Sequence, residues 1–327
     1  MKKLLIYGAT GYTGKMAAER AKALGLNVVL AARNAAVLQN VSSELDLPYR
    51  VFALDSSAGV VRGLEDIDVV LNCAGPFLRT AEPLMRAAIG QRVHYLDVAA
   101  ELDSYRLAEE LDPAARRAGV MLLPGSGGSV AMLGCLAEHV RRRVAEPKQL
   151  RIALHVSGSM SKGSAISASE NMAGHCLARI AGELQPQDPQ QLQEFDFGKG
   201  PRTCFPVTLP DLVTIWRATS IPDIATFVHV SAGSFPDGDL STMPDGPSAE
   251  ERAANRYQAS AVIVGLDGAT AVSILDTVNG YSFTPMAAAE AARRVLGGEV
   301  RSGFQVPADL FGKRFAETIA DTRIYDR

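Results

Sequence analysis

The feature that most constrains this 327-residue chain stands at its start, where Lys3-Leu4-Leu5-Ile6-Tyr7 runs into Gly8-Ala9-Thr10-Gly11-Tyr12-Thr13-Gly14. A short apolar run, glycines at three-residue spacing and an amphipathic segment from Tyr12 to Leu24, stopped by Gly25, read as a buried parallel strand, a tight turn and a helix. Such a turn lets a pyrophosphate approach backbone N–H groups at a helix N-terminus. Side chains at Gly8 or Gly11 would block that approach, and Gly14 lets the helix lie close to the strand. Gly8, Thr10, Gly11, Tyr12, Thr13 and Gly14 are therefore the expected cofactor contacts. The spacing is one residue wider than the GxGxxG fingerprint, and a glycine turn that merely joins strand to helix is the competing reading.

A second strand, Asn27 to Ala32, ends at Arg33. At that position a carboxylate suits the ribose 2′-OH of NAD and an arginine suits the 2′-phosphate of NADP. Arg33 and Asn34, with no acid before Glu44, favour NADP(H) over NAD(H). A solvated strand-end charge is the alternative for Arg33. A helix is expected over 35–45 and a strand over 50–54. Asp55 then either hydrogen-bonds the adenine amino group or caps the next helix.

A fourth strand, 68–72, leads into Cys73-Ala74-Gly75-Pro76-Phe77, with Ala74, Gly75 and Pro76 expected to pass the nicotinamide half of the cofactor. A helix from about Thr80 to Gly90 precedes a fifth strand, 93–97. Asp97 at that strand's end and Glu101 just beyond it are candidate proton carriers, and Tyr95 is a third. Core packing competes with catalysis for His94 and Tyr95. Ser104 and Asp112-Pro113 read as starts of two short helices, and Val120 to Leu123 as a sixth strand ending in Pro124-Gly125-Ser126-Gly127-Gly128-Ser129. Six strand–helix units with short connections predict an α/β Rossmann fold, a doubly wound parallel sheet.

From about Leu150 the pattern changes to alternation: Leu150, Ile152, Leu154 and Val156 against Arg151, Ala153, His155 and Ser157. Further alternating runs over 205–209, 213–219 and 225–230, and a hairpin turning at Asp267-Gly268, predict an inserted α+β domain built on an antiparallel sheet. One long helix is expected over 164–184. Ahead of it, the loop from Gly158 to Ser164 carries Lys162, read either as a cation for a substrate carboxylate or as part of a mobile surface loop. The stretch 185–201 reads as a surface connection, and 231–247 as a lid or disordered excursion. Thr284-Pro285 and Gly297 delimit one late helix and a second spans 309–319, both expected to return to the first domain. The expected domains are thus 1–128 with 284–327 for the dinucleotide and 129–283 for substrate and dimerisation, with substrate and cofactor meeting in a cleft between them.

A net charge of -3 gives no basic surface for nucleic acid, and no apolar run is long enough to span a membrane or head a signal peptide, so a cytoplasmic protein is expected. Cys73, Cys135, Cys176 and Cys204 are scattered without metal-ligand or disulfide spacing. No metal is expected.

With these residues placed, the chain resembles the short saccharopine dehydrogenase-like proteins, a group that includes saccharopine reductases and trans-acting enoyl reductases. The resemblance rests on Gly8 to Gly14 with Ala32-Arg33, on Leu71 to Phe77, and on His94-Tyr95-Leu96-Asp97 to Glu101. Leu123-Pro124-Gly125 and Gly280-Tyr281 with Thr284-Pro285 extend it in outline through the rest. It implies a Rossmann domain, an inserted sheet domain that often dimerises, a small-molecule substrate, NADP(H), and hydride transfer to or from a C=N, C=C or C=O bond. Many relatives have a glycine before the glutamate and an aspartate in the glycine-rich stretch after the sixth strand; here Ala100 and Gly128-Ser129-Val130 stand instead. A non-catalytic NADP(H) sensor is the alternative of a different class. A cysteine-dependent acyl reductase is a further enzyme reading, which needs an activated thiol such as Cys73 or Cys135.

Overall fold

The computed structural model describes residues 1–171, 176–231 and 243–327, and the chain divides into two compact units, 1–128 with 284–305 and 129–283 with 306–327. The first unit carries strands β1 (Lys3–Tyr7), β2 (Asn27–Ala32), β3 (Tyr49–Val51), β4 (Val69–Asn72), β5 (His94–Asp97) and β6 (Met121–Leu123), completed late in the chain by β15 (Gly303–Phe304). Every pairing is parallel, in the order β15-β6-β5-β4-β1-β2-β3. Leu4, Leu5, Ile6, Val69, Val70, Leu71, Leu122 and Leu123 are all buried, because the inner strands of a parallel sheet are covered on both faces. The strand order reverses at β1, and ligands of such sheets bind beyond the carboxyl ends of the strands at that reversal.

Helix α1 (Tyr12–Ala23) turns Gly14, Ala17, Ala18 and Ala21 inward, small residues that let it lie close to the sheet. Helix α2 (Ala35–Leu45) is capped by Asn34, whose Oδ1 accepts from the Val37 N–H at 3.2 Å. The expected third strand over 50–54 spans only Tyr49–Val51, and α3 (Ser57–Gly63) is capped by Ser56, not by Asp55. Helix α4 (Phe77–Gln91) starts before Thr80, directly after Pro76. The two short helices expected near Ser104 and Pro113 form one, α5 (Leu102–Ala118), ended at Gly119 with φ +71°.

The second unit holds α6 (Gly128–Arg141, from residue 129 on), β7 (Pro147–Val156), α7 (Lys162–Asn171), β8 (Leu177–Ile180), β9 (Glu183–Pro186), β10 (Gln193–Asp196), β11 (Pro201–Pro206), α8 (Asp211–Thr219), β12 (Asp223–Val230), α9 (Ala249–Ala254), β13 (Tyr257–Gly265) and β14 (Thr270–Thr277). Helix α10 (Gly280–Leu296) follows, then α11 (Pro307–Leu310) and β16 (Arg323–Asp326). The sheet runs β10-β11-β12-β7-β13-β14-β16, with β8 on β12 and β9 on β8. It is mixed, not purely antiparallel: β12 and β7 run parallel from Asp223↔Gln149 to Val230↔Val156. Leu150, Ile152 and Leu154 bury one face, as the alternation predicts.

Several expectations fail here for identifiable reasons. The run 213–219, rich in β-branched residues, is the helix α8, because burial of its first turn, with Leu212, Val213 and Ile215, overrides strand propensity. The helix expected over 164–184 gives way to α7 and the β8–β9 hairpin, while residues 172–175 lie outside the described residues, as do 232–242 of the expected lid. The hairpin between β13 and β14 turns through Leu266-Asp267-Gly268, one residue more than the expected two-residue turn. Gly268 alone takes the positive φ, +82°, and the Gly265 N–H donates to Ala269 O. The tail 306–327, expected with the first domain, belongs to the second unit: β16 pairs antiparallel with β14, and Thr322 Oγ1 is 2.6 Å from Thr277 Oγ1.

Candidate active site

At the β1–α1 turn the three glycines differ in what they meet. Gly8 has φ +83°, and a Cβ there would lie 2.7 Å from the Ala74 backbone nitrogen. A Cβ on Gly14 would collide with the carbonyl of Gly8, so Gly14 does let the helix lie on the strand. Gly11, the N-cap of α1, has φ -82°, which any residue adopts, and its Cβ would meet only Gly8 O at 3.4 Å. The fold thus requires Gly8 and Gly14 for its own packing, whereas the space beside Gly11 is left open next to a helix start that no side chain caps and no acid enters. That is the environment a phosphate uses, N–H groups at the positive end of a helix. Among the expected contacts, Thr10 and Tyr12 and Thr13 border this opening in sequence, the last two as the first residues of α1.

Arg33 lies exposed just past β2 and Asp55 exposed after β3. Both are close enough to act on the Tyr7 hydroxyl, which donates to Phe52 O at 3.3 Å. Burial pushes that phenol up, Arg33 pulls it down and Asp55 pushes it up. The two residues singled out for the adenosine end thus both act on the same phenol. Asn34 is already engaged as the α2 cap.

Beyond β4, β5 and β6 a chain of hydrogen bonds ties three loops together. The Ala74 N–H donates to Asn72 Oδ1 at 3.0 Å, and Thr80 Oγ1 donates to Ala74 O at 2.6 Å. Asn72 Nδ2 donates to Thr80 Oγ1 at 3.1 Å and to the Tyr95 hydroxyl at 3.2 Å. Tyr95 in turn donates to Asp97 Oδ2 at 2.8 Å, while Asp97 Oδ1 accepts from Gly125 N at 2.7 Å and Ala99 N at 3.0 Å. The backbone carbonyl of Asp97 accepts from both N and Oγ of Ser126 at 2.8 Å. Asn72, Tyr95 and Asp97 are fully buried. Burial pushes the Asp97 carboxyl up to about 6 against the pull of the Gly125 and Ala99 amides and the Tyr95 hydroxyl, with nearby Glu101 adding to the rise. Glu101, 3 % exposed, accepts from Ala100 N at 2.9 Å and, weakly, from Phe77 N at 3.5 Å. The Gly75–Pro76 peptide is cis.

The sequence reading found Tyr95, Asp97 and Glu101 but missed Asn72, Thr80, Gly125 and Ser126, which complete the chain. A polar residue closing an apolar strand was the available signal for Asn72. Lys162 belongs to the second unit, where it opens α7 rather than lying in a free loop. Ser161 Oγ caps that helix through Ser164 N at 3.1 Å, and Tyr281 Oη accepts from Ser161 N at 2.8 Å. His94 accepts from Met121 N at 3.1 Å, the core role weighed for it. Burial pushes the thiols of Cys73 and Cys135 each up to about 12, the opposite of the lowered pKa that an acyl reductase's nucleophile needs. Among the described residues no group of three or more His, Cys, Asp or Glu could hold a metal ion, and no helix is long and apolar enough to cross a membrane.

Comparison with known proteins bears on the fold. Residues 4–123 match the family model of the saccharopine dehydrogenase NADP binding domain. Apo saccharopine dehydrogenase (L-Glu forming) from Saccharomyces cerevisiae superposes with a TM-score of 0.66 at 13% identity, over 99% of this chain and 100% of that one. GenD2 from gentamicin A biosynthesis, solved with NAD, gives a TM-score of 0.47 at 14% identity over 100% and 96%. The WlbA dehydrogenase from Thermus thermophilus, solved with NAD and UDP-GlcNAcA, gives 0.47 at 14% over 97% and 91%. A search of curated protein sequences finds no match. With a Rossmann sheet, an open glycine turn and a second mixed sheet already in place, the chain has a fold like that of saccharopine dehydrogenase, and its residues 4–123 match the saccharopine dehydrogenase NADP-binding domain.

Proposed function

We propose that the protein is an NADP(H)-dependent oxidoreductase acting on a C=N, C=C or C=O bond of a small substrate. The observation that carries this reading is the opening at Gly11, a position where the fold tolerates a side chain but a dinucleotide would not. Gly8 to Gly14 hold the pyrophosphate, and Arg33 takes the 2′-phosphate, next to the Asn34 that caps α2. Ala74, Gly75 and Pro76 line the nicotinamide end. When bound, the nicotinamide supplies the hydride chemistry. Asp97, Tyr95 and Glu101 act by positioning, since their oxygens are buried and spent on holding the three loops. A homodimer through the second unit's sheet rests on the family resemblance, and the mass in solution by light scattering tests it.

The experiment is a fluorescence titration of NADPH and NADH. Gly11→Val should leave stability within about 1 kcal/mol, as an N-cap substitution in extended backbone does, yet abolish binding of both. Arg33→Glu should weaken NADPH at least about tenfold, roughly 1.4 kcal/mol, and spare NADH. Undiminished NADPH binding by folded Gly11→Val overturns the reading. The sensor alternative is favoured by the same sequestration of Asp97 and Tyr95. Tight NADPH binding with no oxidation of NADPH by a panel of small imines, enones and carbonyls would support it.

A further inference from the structure

The second unit's sheet carries a polar cavity of about 240 Å³, lined by His155, Phe197, Lys199, Arg202, Arg256 and Gln258 among others. Strand alternation puts it on the face opposite Leu150, Ile152 and Leu154: His155 on β7 stands between His229 on β12 and Gln258 on β13. Among the described residues no carboxylate lines it. Arg256 is neutralised by Asp276 at 2.9 Å and Asp321 at 2.8 Å. Lys199 and Arg202 form no ion pair among the described residues. Their placement is built, because Asp196 Oδ1 accepts from Gly198 N at 2.7 Å and Gly200 N at 3.1 Å, while its Oδ2 pairs with Arg327. Gly198 and Gly200 take φ +97° and +96°, and a Cβ on Gly198 would lie 2.6 Å from the Tyr325 hydroxyl. The loop that carries Lys199 is therefore fixed over the sheet.

The imidazole is oriented as well. Gln258 Nε2 donates to Asp276 at 3.0 Å, which leaves Gln258 Oε1 to accept from His155 Nδ1 at 2.9 Å. His155 Nε2, 2.9 Å from Ser231 Oγ, is then the atom that titrates. Burial, His229, Arg202 and Lys199 all hold its pKa below the ordinary value, with only the Gln258 hydrogen bond opposing them. Phe197, 5.4 Å centroid to centroid from His155, supplies an apolar wall.

We propose that this cavity is a binding site for a small dianion of the phosphate type, held by Lys199 and Arg202 with His155 as the third donor. Two cations with no ion pair among the described residues, beside a neutral imidazole that can accept a proton, form a charge pattern that a dianion completes. The inference rests on the second unit alone and not on the dinucleotide reading.

The test follows the His155 ring proton by NMR as inorganic phosphate is added at constant ionic strength, with His155→Gln for assignment. Saturable movement and an upward shift of the His155 pKa by more than one unit are expected, both lost in Lys199→Glu/Arg202→Glu. Arg33→Glu, which probes the other unit, leaves the shift intact, and Lys199→Glu/Arg202→Glu leaves NADPH affinity intact, so either reading can fail without the other. A resonance that stays still into the tens of millimolar, or moves equally in the charge-reversed variant, overturns the proposal.

Discussion

Each unit buries one aspartate to zero exposure, and the two are treated in opposite ways. Asp97 in the first unit accepts from Tyr95, Gly125 and Ala99, with burial raising its pKa to about 6. Asp211, at the start of α8 in the second, has no side-chain hydrogen-bond partner among the described residues, and burial pushes it up to about 7. The same residue type at the same exposure is thus a tie between loops in one place and a stored cost in the other. What separates them is the supply of donors: amides from two loops and a phenol lower Asp97 toward its charged form, whereas desolvation acts on Asp211 almost unopposed.

The largest test of this contrast is Asp97→Ala, which leaves two buried amides and a phenol without an acceptor. It should cost about 3–5 kcal/mol in urea unfolding, and a loss under 1 kcal/mol would mean the loops hold without it. The next is the pH dependence of Asp211. Its folded pKa exceeds the unfolded one, so the native state keeps a proton that the unfolded chain has lost, and stability falls as pH rises from about 4 to about 7. Asp97 acts in the same direction over a shorter range, to about 6. Asp211→Asn should remove about 2–3 kcal/mol of the decline in unfolding free energy between pH 5 and pH 8, at about 1.4 kcal/mol per unit. Equal slopes for both proteins would show that Asp211 is solvated. The smallest is Tyr95→Phe, which removes one donor from Asp97. It should cost about 1 kcal/mol and move the Asp97 titration upward by carboxyl-carbon NMR, because the Tyr95 hydroxyl holds that carboxyl down.

Much of the first unit was legible in the chain. The bounds of β2 and α2 follow from an apolar run and the helical pattern after it, and the Gly14 role from its spacing, since these signals are local, whereas Asn34, read only toward the cofactor, proved to be the α2 cap. The site was half legible: Asp97 and Tyr95 stand at a strand end, but Gly125 and Ser126 reach Asp97 across 28 and 29 residues, a separation no local pattern encodes. Gly8 carried a second, unread reason, the approach of Ala74. In the second unit the alternation announced a sheet but not its neighbours, so the parallel β12–β7 pair and the tail strand β16 were invisible.

Sequence by itself determined that a glycine turn opens a parallel, doubly covered sheet and that an alternating sheet follows, because residue period and backbone freedom are properties of a few neighbouring residues. Only the tertiary structure decided which glycine the fold can spare, which strands adjoin, and which buried aspartate finds its partners. Those depend on contacts between distant segments, and the energy of a buried polar group is set by the donors that happen to surround it.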